Sequence, residues 1–193
     1  DCGDIDGLSM FEEEVPNDYE GFLIGECMNR GHGDKIWRLI HVSHANDKKI
    51  EVYHGWRNEN QLYEERILVG DTIRSYRIWF ENGQLAYHKT TGYAEDPDTV
   101  RNWNEAGQIT LENIIHNSKA GSLKIWHPNG QLSIEENYNE TGAILHLSGW
   151  NNEGEEIKDV QAHKSNELNR ARGIFMIASY GEEESGPEEE QNN

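Results

Sequence analysis

Cysteine is scarce: Cys2 and Cys27 are the only two, and both precede the patterned part of the chain. They can close one N-terminal loop in an oxidising compartment, or remain separate thiols in a reducing one. No C-x-x-C pair or Cys/His spacing occurs, which argues against a structural zinc site. No apolar run approaches the roughly 20 residues that span a bilayer, so no transmembrane segment is expected. Bases are few, 17 Lys and Arg against 36 Asp and Glu, and no basic stripe for direct nucleic-acid binding is present. The hydrophobic fraction is 35 % and the mean hydropathy -0.88, which suits a thin sheet with one wet face better than a deep core. Also missing are a Gly-rich phosphate loop and a nucleophile elbow; Gly31-His32-Gly33 precedes no helix-like segment. Glu64-Glu65 and Glu135-Glu136 are adjacent, so in strands each pair points to opposite faces and cannot act as an acid/base couple. The nine histidines keep no common register, which excludes a repeated metal ladder. His41, His44 and His54 could meet across a hairpin, but read better as partly exposed strand histidines. The chain is therefore expected to be non-enzymatic, with no cofactor and no metal.

What the chain does have is a repeat. Trp56, Trp79, Trp103, Trp126 and Trp150 recur every 23 or 24 residues. Each opens one phrase: W-R-N-E-N-Q-L, W-F-E-N-G-Q-L, W-N-E-A-G-Q-I, W-H-P-N-G-Q-L and W-N-N-E-G-E-E. Self-similarity at a fixed period marks a repeat architecture, whose units bury apolar surface by stacking on their neighbours.

The phrase itself is a hairpin. A two-residue turn would put Trp79 and Leu85 on opposite faces, whereas a type I turn closed by a left-handed Gly pairs them on one face. Pro128 fits position i+1 of such a turn, and Gly83, Gly107, Gly130 and Gly154 supply the positive φ. Asn60 replaces Gly in the first phrase and tolerates the same conformation. Turn-forming clusters at Val69 to Asp71, Ala94 to Asp98, Asn117 to Gly121 and Asn139 to Gly142 close the other ends. An extra hairpin, Ile36 to Ser43 and Lys49 to Trp56, precedes the array. The expected fold is all-β, an elongated antiparallel meander of about five two-stranded repeats and roughly ten strands. Its expected divisions are an acidic N-terminal cap (1–35), the array (36–158), a C-terminal cap (159–180) and a disordered acidic tail (181–193). The two caps are assigned to cover the sheet edges, because exposed ladders invite aggregation.

The net charge of -19 lives in the ends. Asp1 to Glu26 holds nine acids and Tyr180 to Asn193 holds six, both without a Lys or Arg. Such blocks read as solvated tails, or as arms whose field speeds encounter with a basic partner.

These phrases, each followed by an alternating strand and a Gly-bearing turn, resemble the MORN-repeat-variant family, found in bacterial YwqK-type antitoxins. The resemblance covers Trp56 to about Lys158 and is best at Trp79 to Leu85 and Trp126 to Leu132. It implies a binding protein of the immunity or antitoxin type, neutralising a basic toxin or effector; a structural repeat protein of a viral particle or cell envelope is the alternative. The expected location is the cytoplasm, or outside it if an upstream signal was removed before Asp1. The tryptophans are read as a core ladder rather than a binding stripe, each matched by Leu or Ile in the paired strand. The residue after each Trp then points to the opposite face. Arg57, Phe80, Asn104, His127 and Asn151 are thus the candidate recognition residues, with the competing reading that the Asn and His simply bond their own turns.

Overall fold

The computed structural model describes residues 21–30, 34–58, 61–94, 96–116 and 119–180. Cys2, most of the expected N-terminal cap and the acidic tail 181–193 lie outside them. The chain forms β1 (Gly21–Arg30), β2 (Asp34–Ala45), β3 (Lys48–Asn58), β4 (Gln61–Val69), β5 (Thr72–Trp79) and β6 (Leu85–Thr90). It continues with β7 (Asp98–Trp103), β8 (Ile109–His116), β9 (Lys119–Trp126), β10 (Leu132–Tyr138) and β11 (Ile144–Gly149), and ends in α1 (Val160–Tyr180). The eleven strands form one antiparallel sheet in sequence order, the meander read from the repeats. Cys27 lies in β1, in register with Trp37.

The local chemistry explains the hairpins. Trp79 pairs with Leu85, Trp103 with Ile109, Trp126 with Leu132 and Trp56 with Leu62, while Trp150 bridges Glu156. Gly83, Gly107, Gly130 and Gly154 take φ of 81°, 76°, 84° and 82°. In each turn the Gly N–H donates to the carbonyl three residues back, as from Gly83 to Phe80 at 3.0 Å and Gly130 to His127 at 2.9 Å. This is the three-residue loop with Pro128 at i+1. At β2–β3 a two-residue turn suffices, because Asn46 and Asp47 accept φ of 51° and 59°.

Four of these hairpins carry a register shift beside the Trp. The extra residue, one after each Leu or Ile, is Tyr63, Ala86, Thr110 or Ser133, and each is at most 2 % exposed. A bulge of this kind turns two successive side chains toward one face. That face is the interior. It carries Ile78, Phe80, Tyr63 and Ala86 in one cluster and Leu111, Leu123, Ile125, Ile134 and Ala171 in another.

Helix α1 covers the part of this face formed by the later strands, from β5 to β11. Its 21 residues span about 31 Å, close to the roughly 29 Å of six inter-strand spacings. It packs against β11, β10, β9, β7, β6 and β5, so it crosses the strands rather than capping an edge. Asp159 starts it, accepting at Oδ1 from the Ala162 N–H at 3.3 Å. Gly149 admits it: a Cβ there would meet Val160 Cγ1 at 2.9 Å. Much of the contact is polar. Ser133 Oγ and His163 Nε2 share a 2.9 Å hydrogen bond, Lys164 pairs with the fully buried Glu136, and Arg170 donates to the Trp126 carbonyl at 2.5 Å.

Candidate functional site

The other face is open, with no described element packed on it. One row of cross-strand neighbours runs along it through eight strands: His54, Glu65, Arg77, His88, Arg101, Glu112, Lys124 and Glu135. Glu65 accepts from Arg77 and lies 3.1 Å from His54. Arg101 Nε reaches Glu112 at 2.7 Å and Lys124 Nζ reaches Glu135 at 3.4 Å. Opposite charges directly across a ladder support the sheet, yet each base keeps over a third of its surface in solvent: 36 % for Arg77, 37 % for Arg101 and 38 % for Lys124. His88 sits between two arginines. Partial burial, then the Arg77 and Arg101 charges, depress its pKa below the ordinary imidazole value, although Glu65 opposes them.

Flanking this charged row is the Trp row. Trp79 lies two residues from Arg77, Trp103 two from Arg101 and Trp126 two from Lys124, so each Trp shares the open face. Trp56, Trp79, Trp103, Trp126 and Trp150 are all half-buried. They are neither a closed core nor isolated surface residues: Trp56, Trp79, Trp103 and Trp126 each stand opposite a Leu or Ile, and Trp150 opposite Glu156. On the other flank run Val52, Ile67, Ser75, Thr90, Thr99 and Ile114, tied by a Thr90–Thr99 hydroxyl contact of 2.6 Å.

Of the described residues that follow a Trp, Phe80 and His127 point away from it, toward the covered side. Phe80 is 4 % exposed, against Tyr63, Ile78 and Ala86. His127 is 5 % exposed; its Nε2 donates to the Trp150 carbonyl at 2.8 Å and its Nδ1 lies 3.6 Å from Glu167. Neither presents a surface to a partner, because the bulges and α1 make that side the interior. Asn104 Oδ1 accepts from the Ala106 and Gln108 N–H groups at 3.1 and 3.0 Å, and Asn151 Oδ1 from Glu153 and Glu155 at 3.0 and 2.9 Å. These two serve their own turns. Arg57 lies in β3, and its side chain is outside the described residues. The four described candidates are therefore not brought together as one surface.

The row sequence reasoning missed has a positional signal. The bases stand two residues before a Trp (Arg77, Arg101, Lys124), and their acidic partners three after the repeat Leu or Ile (Glu65, Glu112, Glu135). Aligning the repeats on Trp and reading those two columns would have found it.

The turns form a third feature along one edge. Asn82 donates to the Glu105 carbonyl at 2.9 Å and Asn129 to the Asn152 carbonyl at 3.0 Å, each 23 residues on, and Gln61 donates to the Glu81 carbonyl. Ala106 occupies the equivalent position in the third loop and has no amide to continue the chain of contacts. Glu81, Glu105, Glu153 and Glu155 are exposed there. Residues 80–84, 104–108, 127–131 and 151–155 contain no Lys or Arg.

Among the described residues, no group of three or more His, Cys, Asp or Glu is placed to hold a metal ion. No helix among them is long and apolar enough to cross a membrane. In comparisons with known proteins, no family model matches the chain and no curated protein matches it.

Proposed function

We propose that this is a non-enzymatic, protein-binding repeat protein of the immunity or antitoxin type, acting in the cytoplasm on a basic toxin or effector. The observation that carries the reading is the open face, where a half-exposed Trp row runs beside a row of alternating charges. Aromatic and arginine side chains concentrate binding energy at protein interfaces, and a rigid sheet presents them at little entropic cost. The four later turns, which hold no Lys or Arg, and the acidic ends favour a basic partner by steering its approach. The resemblance of the Trp phrases to MORN-repeat-variant antitoxins points the same way.

One observation favours scaffolding of a viral particle or envelope as the second reading. Edge strand β11 carries Ile144 and Leu145, 49 % and 69 % exposed, and such an edge can template pairing with another chain. Affinity capture from the native host, with crosslinked partners identified by mass, separates the two. A basic protein lost on the Arg77→Glu, Arg101→Glu double change, with the melting temperature held, supports the first. Capture of particle or envelope components through β11 instead supports the second.

A further inference from the structure

Between α1 and the sheet lies a cavity of about 360 Å³, within the roughly 300 to 1,000 Å³ of small-molecule sites. Val100, Leu111 and Leu123 line it from the strands, and Leu168 from the helix. Two polar residues, Asn102 and Asn113, share that lining, and both carry a buried Oδ1 without a hydrogen-bond partner. Asn102 is 5 % exposed, and its Nδ2 donates to the Ala171 carbonyl at 3.3 Å, which fixes the amide. Register places Asn102 opposite Leu111 and Asn113 opposite Val100, so the two are diagonal neighbours on adjacent strands, about 7 to 8 Å apart.

The repeat makes Asn102 conspicuous. The residue before Trp is Gly55, Ile78, Asn102, Ile125 and Gly149 in the five units, apolar or Gly except here. Asn is depleted in strands, and a buried acceptor without a donor is costly. Two such acceptors in one cavity are explained if a ligand supplies the donors. Lys164 completes the lining. It already pairs with Glu136, and an ammonium has two further N–H groups to offer. Because that pair cancels in charge, an ionic ligand would be buried without a counter-ion.

We propose that this cavity binds a neutral small molecule bearing two N–H donors beside a carbonyl, a primary carboxamide or nucleobase-like ring on an apolar body. Its N–H groups bond Asn102 and Asn113, its carbonyl faces Lys164, and the Tyr87 and Tyr138 rings, which also line the cavity, flank its body. The site stands independently of any protein partner on the open face.

The test is titration of the full chain with benzamide and uracil, followed by ¹H–¹⁵N NMR, with benzoate and benzylamine as charged controls. Expected are saturable shifts for a neutral probe, including the Asn102 and Asn113 side-chain amides, at least tenfold tighter than either control. Asn113→Leu should weaken binding roughly tenfold without lowering the melting temperature. Leu168→Phe, which keeps both acceptors but fills the space, should abolish it, so the idea stays exposed even if Asn113→Leu fails to fold. No saturable shift with either neutral probe overturns the proposal, as do equal affinity for a charged control or full binding to Leu168→Phe.

Discussion

At the scale of single residues, charges are held in two different ways. Glu136 is wholly buried and answered by Lys164 from α1, while the open-face pairs remain in contact with water. Removing one partner of a buried pair costs about 3 to 5 kcal/mol, because the other charge is left uncompensated. Lys164→Met should therefore lower stability by about that amount in urea, and adding Glu136→Leu should restore most of it. Recovery absent from the double variant would contradict a buried ion pair at this site. His88 gives a prediction in pH. Its pKa is depressed in the folded protein, so the unfolded chain takes up a proton that the native state refuses. His88 costs no stability at high pH and progressively destabilises as pH falls through the ordinary imidazole range, about pH 7 to 5. His88→Gln should flatten that part of the stability profile; an unchanged profile would refute the assignment. The turn glycines were legible residue by residue, since Pro128 at i+1 and a Trp and Leu on one face admit only the three-residue loop. The burial of His127 and Phe80 was not, because nothing adjacent in sequence announces that α1 lies over their side of the sheet.

At the scale of elements, the strands were readable and the helix was not. Alternation and turn residues define a strand locally, so the hairpins from Lys48 to Gly149 follow from the phrases. Helix α1 hides its signal because the side facing the sheet mixes His163, Lys164, Glu167 and Arg170 with Val160, Leu168 and Ala171 instead of forming a continuous apolar stripe. Burial alone would raise the Glu167 pKa, yet the Arg170 hydrogen bond and charge, with His127 and His163 nearby, hold it below the usual carboxylate range. Asp159 caps the first turn of α1 by accepting from the Ala162 N–H. Asp159→Ala should cost about 1 kcal/mol by thermal unfolding, measured against Asp159→Ser, which retains the cap. Equal stability of the two variants would remove the N-cap from the account. Ile125, with no exposed surface beneath the helix, should cost about 2 to 5 kcal/mol on change to Ala.

At the scale of the whole molecule, a single sheet is made two-sided by one helix. Its repeats spend their bulged and pre-Trp residues on the covered face, and their Trp, basic and acidic columns on the other. The fold was thus largely legible from the period. Which face is left open was not, because a Trp–Leu pair looks alike on either face, and only α1 decides which is covered. The central claim is that partners meet the open face. Hydroxyl-radical footprinting of the protein with its captured partner tests it most directly. Protection of Trp79, Trp103 and Trp126 together with the Arg77–Arg101 row is expected, while α1 keeps its reactivity. Protection confined to α1 or to the acidic ends, with the tryptophans as reactive as in the free protein, would contradict it.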